Sequence, residues 1–231
     1  MQPYFFPYLG YFSLIKNTDM FILLDTVQYI YHGWIERNRI LSSNSNWIYI
    51  KVPLVKKSRS TIIKDMEINN SLPWKDKILA QLQYYKKRAP FYSKTMDILQ
   101  EVFKYDYLDI VELNKVCLSV VCEYLGIEYN IQVFSKMNME IEEPEGPDEW
   151  ALNICKGLKG VEEYWNPVGG KLFFNTDKYL GNNINIKFQK IILNEYDQRK
   201  NIFEEGLSII DVLMFNSPEK INEMLDNYEF V

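Results

Sequence analysis

The stretch Trp34-Ile35-Glu36-Arg37-Asn38-Arg39-Ile40 sets two guanidinium groups beside an indole and a carboxamide. A guanidinium is a planar fork that matches phosphate or carboxylate oxygens two at a time. Trp34, Arg37, Asn38 and Arg39 therefore form a candidate binding set for a phosphate-bearing small molecule, with Trp34 stacking on a ring and Asn38 fixing orientation. The competing use of the arginines is a buried ion pair with Asp25 or Glu36 that holds the segment in place. Upstream lie Asp25-Thr26-Val27-Gln28-Tyr29 and His32, the single histidine of the chain. Asp25 and His32 are the candidate proton acceptors, and Gln28 is a further candidate for substrate binding. A lone histidine is also compatible with an incidental role. No Ser-His-Asp or Cys-His arrangement is readable, and one histidine among scattered acids gives no zinc pattern.

The opening segment, Met1-Gln2-Pro3-Tyr4-Phe5-Phe6-Pro7-Tyr8-Leu9-Gly10-Tyr11-Phe12, combines prolines, rings and one glycine just before a helical pattern. Prolines fix φ, Gly10 permits a close approach to the backbone, and a loop feeding a helix N-terminus presents free N–H groups to an anion. Gln2, Tyr4, Tyr8, Gly10 and Tyr11 are the binding candidates here; the alternative is a hydrophobic plug. The layout is loosely similar to the opening of the nucleotidyltransferase superfamily, whose first loop carries a histidine-glycine-histidine type motif, but no histidine stands near Gly10. A βαβ unit has a strand before its loop, whereas this chain starts on the loop, so either that strand is absent or the start lies a few residues upstream. Two weaker clusters complete the set. Gly169-Gly170 follow Tyr164-Trp165-Asn166-Pro167-Val168 and serve either a ligand-approached backbone or a simple turn. Asp211 sits among apolar neighbours in Leu207–Asn216, as an exposed helical acid or as a buried partner for Arg37 or Arg39.

The 231 residues are enough for one large domain or two small ones, and 47% hydrophobic with 25% charged is an ordinary globular composition. A net charge of −5 speaks against duplex nucleic acid as the main partner. The 17 Tyr, 13 Phe and 5 Trp suit sugars, nucleobases or a partner surface, or reflect an AT-rich genome. Cys117, Cys122 and Cys155 have no metal-ligand spacing and read as buried thiols of a reducing compartment. No apolar run reaches the ~20 residues of a membrane span, and the N-terminus lacks a signal-peptide pattern, so the expected location is the cytoplasm.

These residues need a scaffold, and the pattern supplies an α/β one: a Rossmann-like mixed sheet flanked by helices, with a helical middle segment. Helices are predicted over 11–17, 71–87, 93–104, 107–125, 150–158, 208–215 and 218–225, with Ser71 as an N-cap and Gly126 as a terminator. Strands are predicted over 20–25, 47–52, 62–68, 128–134, 163–165, 184–188 and 190–193. The acidic stretch 139–148 divides an otherwise single domain, 1–231, into 1–138 and 149–231.

Together the strings Gln2–Phe12, Asp25–Tyr29, Trp34–Ile40, Asn166–Gly170 and Leu207–Asn216 resemble the WbqC-like family, in the expected order along almost the whole chain. The first and third strings are specific. Members tend to sit among genes for O-antigen, capsule or other bacterial surface polysaccharides. The resemblance implies work on an activated sugar, such as transfer of an acyl or aminoacyl group onto a nucleotide-linked amino sugar. A non-catalytic binding or assembly protein of the same pathway is the alternative, and a nucleotidyltransferase- or ligase-like enzyme a third. No metal or redox cofactor is implied, and the expected partner is a nucleotide sugar. Many members carry a histidine before the Gln-Pro pair, where this chain has Met1, and an apolar strand ahead of it.

Overall fold

A computed structural model describes residues 1–43, 46–200 and 202–231. The apolar run after Asp19 forms β1 (Phe21–Leu23), which pairs in parallel with β4 (Ile131–Val133), Phe21 opposite Ile131 and Leu23 opposite Val133. Before it runs α1 (Leu9–Lys16), buried along nearly its whole length because Leu9, Phe12, Leu14 and Ile15 point into the core. β2 (Arg37–Leu41) and β3 (Trp47–Lys51) make an antiparallel hairpin. The helical middle consists of α2 (Trp74–Gln81), α3 (Tyr92–Phe103) and α4 (Ile110–Leu125). The Asp109 carboxylate caps α4 by accepting from Glu112 N at 2.8 Å, and Gly126 ends it at φ 67°.

After the acidic stretch come α5 (Glu149–Leu158), β5 (Glu163–Pro167), α6 (Thr176–Leu180) and β6 (Asn185–Ile191). The chain closes with α7 (Ile209–Phe215), α8 (Pro218–Leu225) and β7 (Tyr228–Phe230). β6 lies between β5, parallel to it, and β7, antiparallel to it. The fold is thus α/β, its strands distributed, among the described residues, over three small sheets, the last one mixed. One large apolar core joins α1, α4, α7, α8 and the opening segment, and a smaller one gathers Leu152, Cys155, Tyr179 and Ile184. All three cysteines are buried and free. Among the described residues no helix is long and apolar enough to cross a membrane.

Several local expectations change. The segment 62–68 is not a strand but a 3-10 turn, Ile63–Asp65, because Ile63 N donates to Val27 O at 3.0 Å and Lys64 N to Asp25 O at 2.9 Å. The 71–87 helix begins at Trp74 and tightens after Gln81 into a 3-10 turn, Leu82–Tyr85. Ser71 does not cap it; its hydroxyl bonds Asn69 Oδ1 at 2.6 Å instead. The helix predicted from Tyr107 starts at Ile110, and the two runs 184–188 and 190–193 merge into β6. β2 and β7 were not expected as strands.

Candidate functional site: an arginine–aromatic face over the opening segment

Strand periodicity divides Trp34–Ile40 into two functions. Alternate side chains of a strand point to opposite faces, and here Glu36, Asn38 and Ile40 are buried while Arg37 and Arg39 reach outward. The inward Asn38 holds the opening segment: its Nδ2 donates to Phe5 O at 3.1 Å and Phe6 O at 2.8 Å. Asn114 of α4 does the same for Pro3 O and Ile35 O, both at 2.9 Å. Ser208 Oγ donates to Phe6 O at 2.7 Å, and Ile209 N to Pro7 O at 2.8 Å. The opening segment is an irregular backbone threaded through the core, and buried carbonyls must find donors. These side chains provide them. Phe6 is even held at a left-handed φ of 39°.

Across the hairpin Arg39 pairs with Tyr49, and the buried Leu41 with Trp47. The Arg39 guanidinium lies 5.6 Å from the ring centre of Trp34 and 5.2 Å from that of Trp47, and the Arg37 guanidinium 4.2 Å from that of Tyr49. A cation over a ring is attracted by the ring's quadrupole. Arg39 Nη2 donates to Gly206 O at 3.1 Å, while its buried Nε meets no acceptor among the described residues. Arg37 uses Nε on Gly33 O at 3.2 Å and Nη2 on His32 O, closing the 30–33 turn. Among the described residues no carboxylate pairs with either arginine, so the competing reading, an ion pair with Asp25 or Glu36, is not realised. Two guanidinium groups flanked by aromatic rings and lacking a counter-ion make a surface suited to an anion attached to a flat ring.

The remaining candidates distribute as follows. Asp25 is buried at the end of β1, and both its oxygens are taken by Ser135, from N at 3.0 Å and from Oγ at 2.5 Å. His32 is exposed at φ 62°, its carbonyl under Arg37. Gln28 donates to Arg59 O at 2.7 Å. Gln2, Tyr4, Tyr8 and Tyr11 lie close to one another. Tyr11 OH donates to Gln2 O, its ring lies 5.5 Å from that of Tyr4, and burial, then the neighbouring phenols, push the Tyr8 and Tyr11 hydroxyls up. The group that approaches Gly10 is the Tyr8 ring, 2.6 Å from where a Cβ would stand. Gly170 leaves room for the Asn166 side chain, whose Nδ2 bonds Pro167 O at 2.9 Å, and Gly169 has open space beside it. Both belong to a 3-10 turn, Val168–Gly170, after β5.

Asp211 is buried, and its partners are neutral rather than an arginine. Oδ1 accepts from Tyr85 OH at 2.7 Å, and Oδ2 from Tyr196 OH at 2.6 Å and Gln198 Nε2 at 2.9 Å. Burial pushes its carboxyl up to about 6 against the pull of those donors.

The strings that meet here, Gln2–Phe12, Trp34–Ile40 and Leu207–Asn216, coincide with a known family pattern: the model of the WbqC-like protein family matches residues 2–223. The chain belongs to the WbqC-like family. A relative, the uncharacterized protein Rv1507c of Mycobacterium tuberculosis (strain ATCC 25618 / H37Rv), is 26% identical over 225 residues, spanning 94% of this chain and 91% of that protein. No solved structure matches. In this WbqC-like chain the specific strings meet through backbone hydrogen bonds around residues 5–7. Ser208 N donating to Arg39 O at 2.9 Å ties the last of them to the arginine strand. Sequence reasoning missed Trp47 and Tyr49, although their spacing of two within a predicted strand places them on one face. It also missed Tyr85, Tyr196, Gln198 and Asn114, whose roles depend on contacts distant in sequence.

Proposed function

We propose that this face binds the phosphates of a nucleotide-linked sugar, and that the protein acts in bacterial surface-polysaccharide biosynthesis as a transferase of an acyl or aminoacyl group onto an amino sugar. The observation that carries the reading is the pair Arg37 and Arg39: guanidinium groups stacked on Tyr49, Trp34 and Trp47, one with a buried unpartnered Nε, and neither with an acid. A partly desolvated cation without a counter-ion gains by binding an anion. In this arrangement Arg37 and Arg39 take the phosphates and Trp34 offers a stacking face. His32, in the turn that Arg37 closes, accepts the proton from the amine as it attacks the donor's acyl carbon, and the bond from that carbon to the donor's activating group breaks to release that group. Asp25 is committed to Ser135 and acts by holding the ends of β1 and β4 together.

Incubation with UDP-linked amino sugars and activated acyl donors, followed by product mass, tests the transfer step. An acylated nucleotide sugar that disappears with His32→Ala supports it, and no product with any donor removes it. The second reading, a non-catalytic binding protein of the same pathway, is favoured by the sealing of Asp25 under Ser135, which leaves one exposed imidazole as the proton acceptor. Under it, UDP-sugar binding persists, product is absent, and His32→Ala changes nothing.

A further inference from the structure

A buried carboxylate that meets only neutral donors costs stability compared with an apolar side chain of similar size, so its bonds call for a role. Asp211 bonds outward along two routes that end at one residue. On the first, Oδ1 accepts from Tyr85 OH at 2.7 Å, and that hydroxyl accepts from Leu41 N at 2.8 Å, on the unpaired edge of β2 two residues beyond Arg39. On the second, Oδ2 accepts from Gln198 Nε2 at 2.9 Å. Gln198 grips Glu204 on both sides, accepting from its N at 2.8 Å and donating to its O at 2.9 Å. Glu204 stands two residues before Gly206, whose carbonyl receives Arg39 Nη2 at 3.1 Å. Tyr196 OH, at 2.6 Å, holds Oδ2 as well. The carboxylate thus ties down both the strand that carries Arg39 and the loop that receives its guanidinium. Ser208, the N-cap of the helix bearing Asp211, adds a third tie through Arg39 O at 2.9 Å.

We infer that Asp211 is a positioning residue for Arg39, fixing its guanidinium between Trp34 and Trp47 in the geometry that receives the anion. The anion part rests on the function proposed above; the positioning part does not. The neighbouring cation is Lys200, whose Nζ reaches Asn46 O at 3.1 Å at the end of the hairpin. Asp211 touches no ligand in this account and acts through Arg39.

The test is a double-mutant cycle on the full chain with Asp211→Asn and Arg39→Ala, read by tryptophan emission and acrylamide quenching, and by titration with UDP. Asp211→Asn keeps the volume but turns an acceptor into a donor facing Gln198 Nε2. The expected result is a change in emission and quenching of the kind Arg39→Ala produces. UDP binding is expected to weaken about tenfold, with little further loss when Asp211→Asn is added to Arg39→Ala. Gln198→Leu, which cuts one route only, stands in if Asp211→Asn fails to fold, and is expected to give a smaller change of the same sign. Unchanged emission and quenching in a folded Asp211→Asn or Gln198→Leu, or effects that simply add to those of Arg39→Ala, overturn the inference. If native chain does not bind UDP, the anion reading falls, and the emission cycle alone decides whether Asp211 positions Arg39.

Discussion

Arg39 carries its charge between two indoles and gives one N–H to Gly206 O. A lysine there would keep the charge but lose the planar fork and the stacking, so Arg39→Lys is not conservative. Arg39→Lys is expected to weaken UDP binding about tenfold, as loss of a charge-assisted bond worth roughly 1.5 kcal/mol does; equal affinity by calorimetry contradicts this. Asp211 makes a separate prediction through pH. Its carboxyl is lifted from 3.8 to about 6, so the folded chain binds this proton more tightly than the unfolded one. The stability that this contributes is full below about pH 4 and is lost as pH rises through 6, about 3 kcal/mol in all. Asp211→Asn, which cannot titrate, should therefore gain on the native protein by up to that amount between pH 4 and pH 7, with urea unfolding as the measurement. Parallel pH profiles would show that Asp211 is ordinary. That Asp211 is buried among phenols was not readable in the sequence, since Tyr85 and Tyr196 arrive from 126 and 15 residues away. That it needed a partner was.

At the scale of elements, β2 is a short strand whose alternation separates structure from chemistry. Its inward Asn38 and the facing Asn114 of α4 serve carbonyls of a segment that has no regular structure of its own. Removing a donor and leaving a buried carbonyl bare costs about 1–3 kcal/mol. Asn114→Ala strips both Pro3 O and Ile35 O and is expected to fall at the upper end by urea denaturation. Asn38→Ala should cost less, because Ser208 Oγ still serves Phe6 O. Equal or negligible losses would argue that water fills these positions. The helices other than α6 (Thr176–Leu180), which is a single short turn and was not predicted, and the β1, β3 and β4 strands were legible because their apolar periodicity and caps are local: Gly126 ends α4, and Ser208 caps α7. β2 was hidden because Arg37-Asn38-Arg39 carries no apolar alternation; the Asn38 amide answers Phe5 O and Phe6 O, and Arg39 Nη2 answers Gly206 O, contacts that come from distant parts of the chain. The 62–68 segment misled because Ile62, Ile63, Met66 and Ile68 look strand-like, while its backbone is claimed by Asp25 O and Val27 O.

Across the whole molecule, the first and last thirds of the chain build one site. α7 is buried along all its residues, packs against α3 and β2, and its cap joins Phe6 O and Arg39 O. Ser13 Oγ of α1 likewise donates to Leu225 O at 2.5 Å and accepts from Gln189 Nε2 at 3.0 Å. Deleting residues 208–231 should abolish the cooperative unfolding transition rather than leave a folded remainder; a retained sharp transition by circular dichroism would contradict this. Three of the five family strings, Gln2–Phe12, Trp34–Ile40 and Leu207–Asn216, meet in space, although they are spread along the sequence. Trp34, Arg37 and Arg39 could be singled out from the sequence by residue type; that Trp47 and Tyr49 lie beside the two guanidinium groups comes from the pairing of β2 with β3. The most direct test of the central claim is calorimetric titration of a UDP-linked amino sugar into the native protein and into Arg37→Ala/Arg39→Ala. Saturable binding by the native chain is expected, and it is lost in the double variant while the fold is retained. No saturable heat with the native chain, or the same affinity without both guanidinium groups, would contradict it.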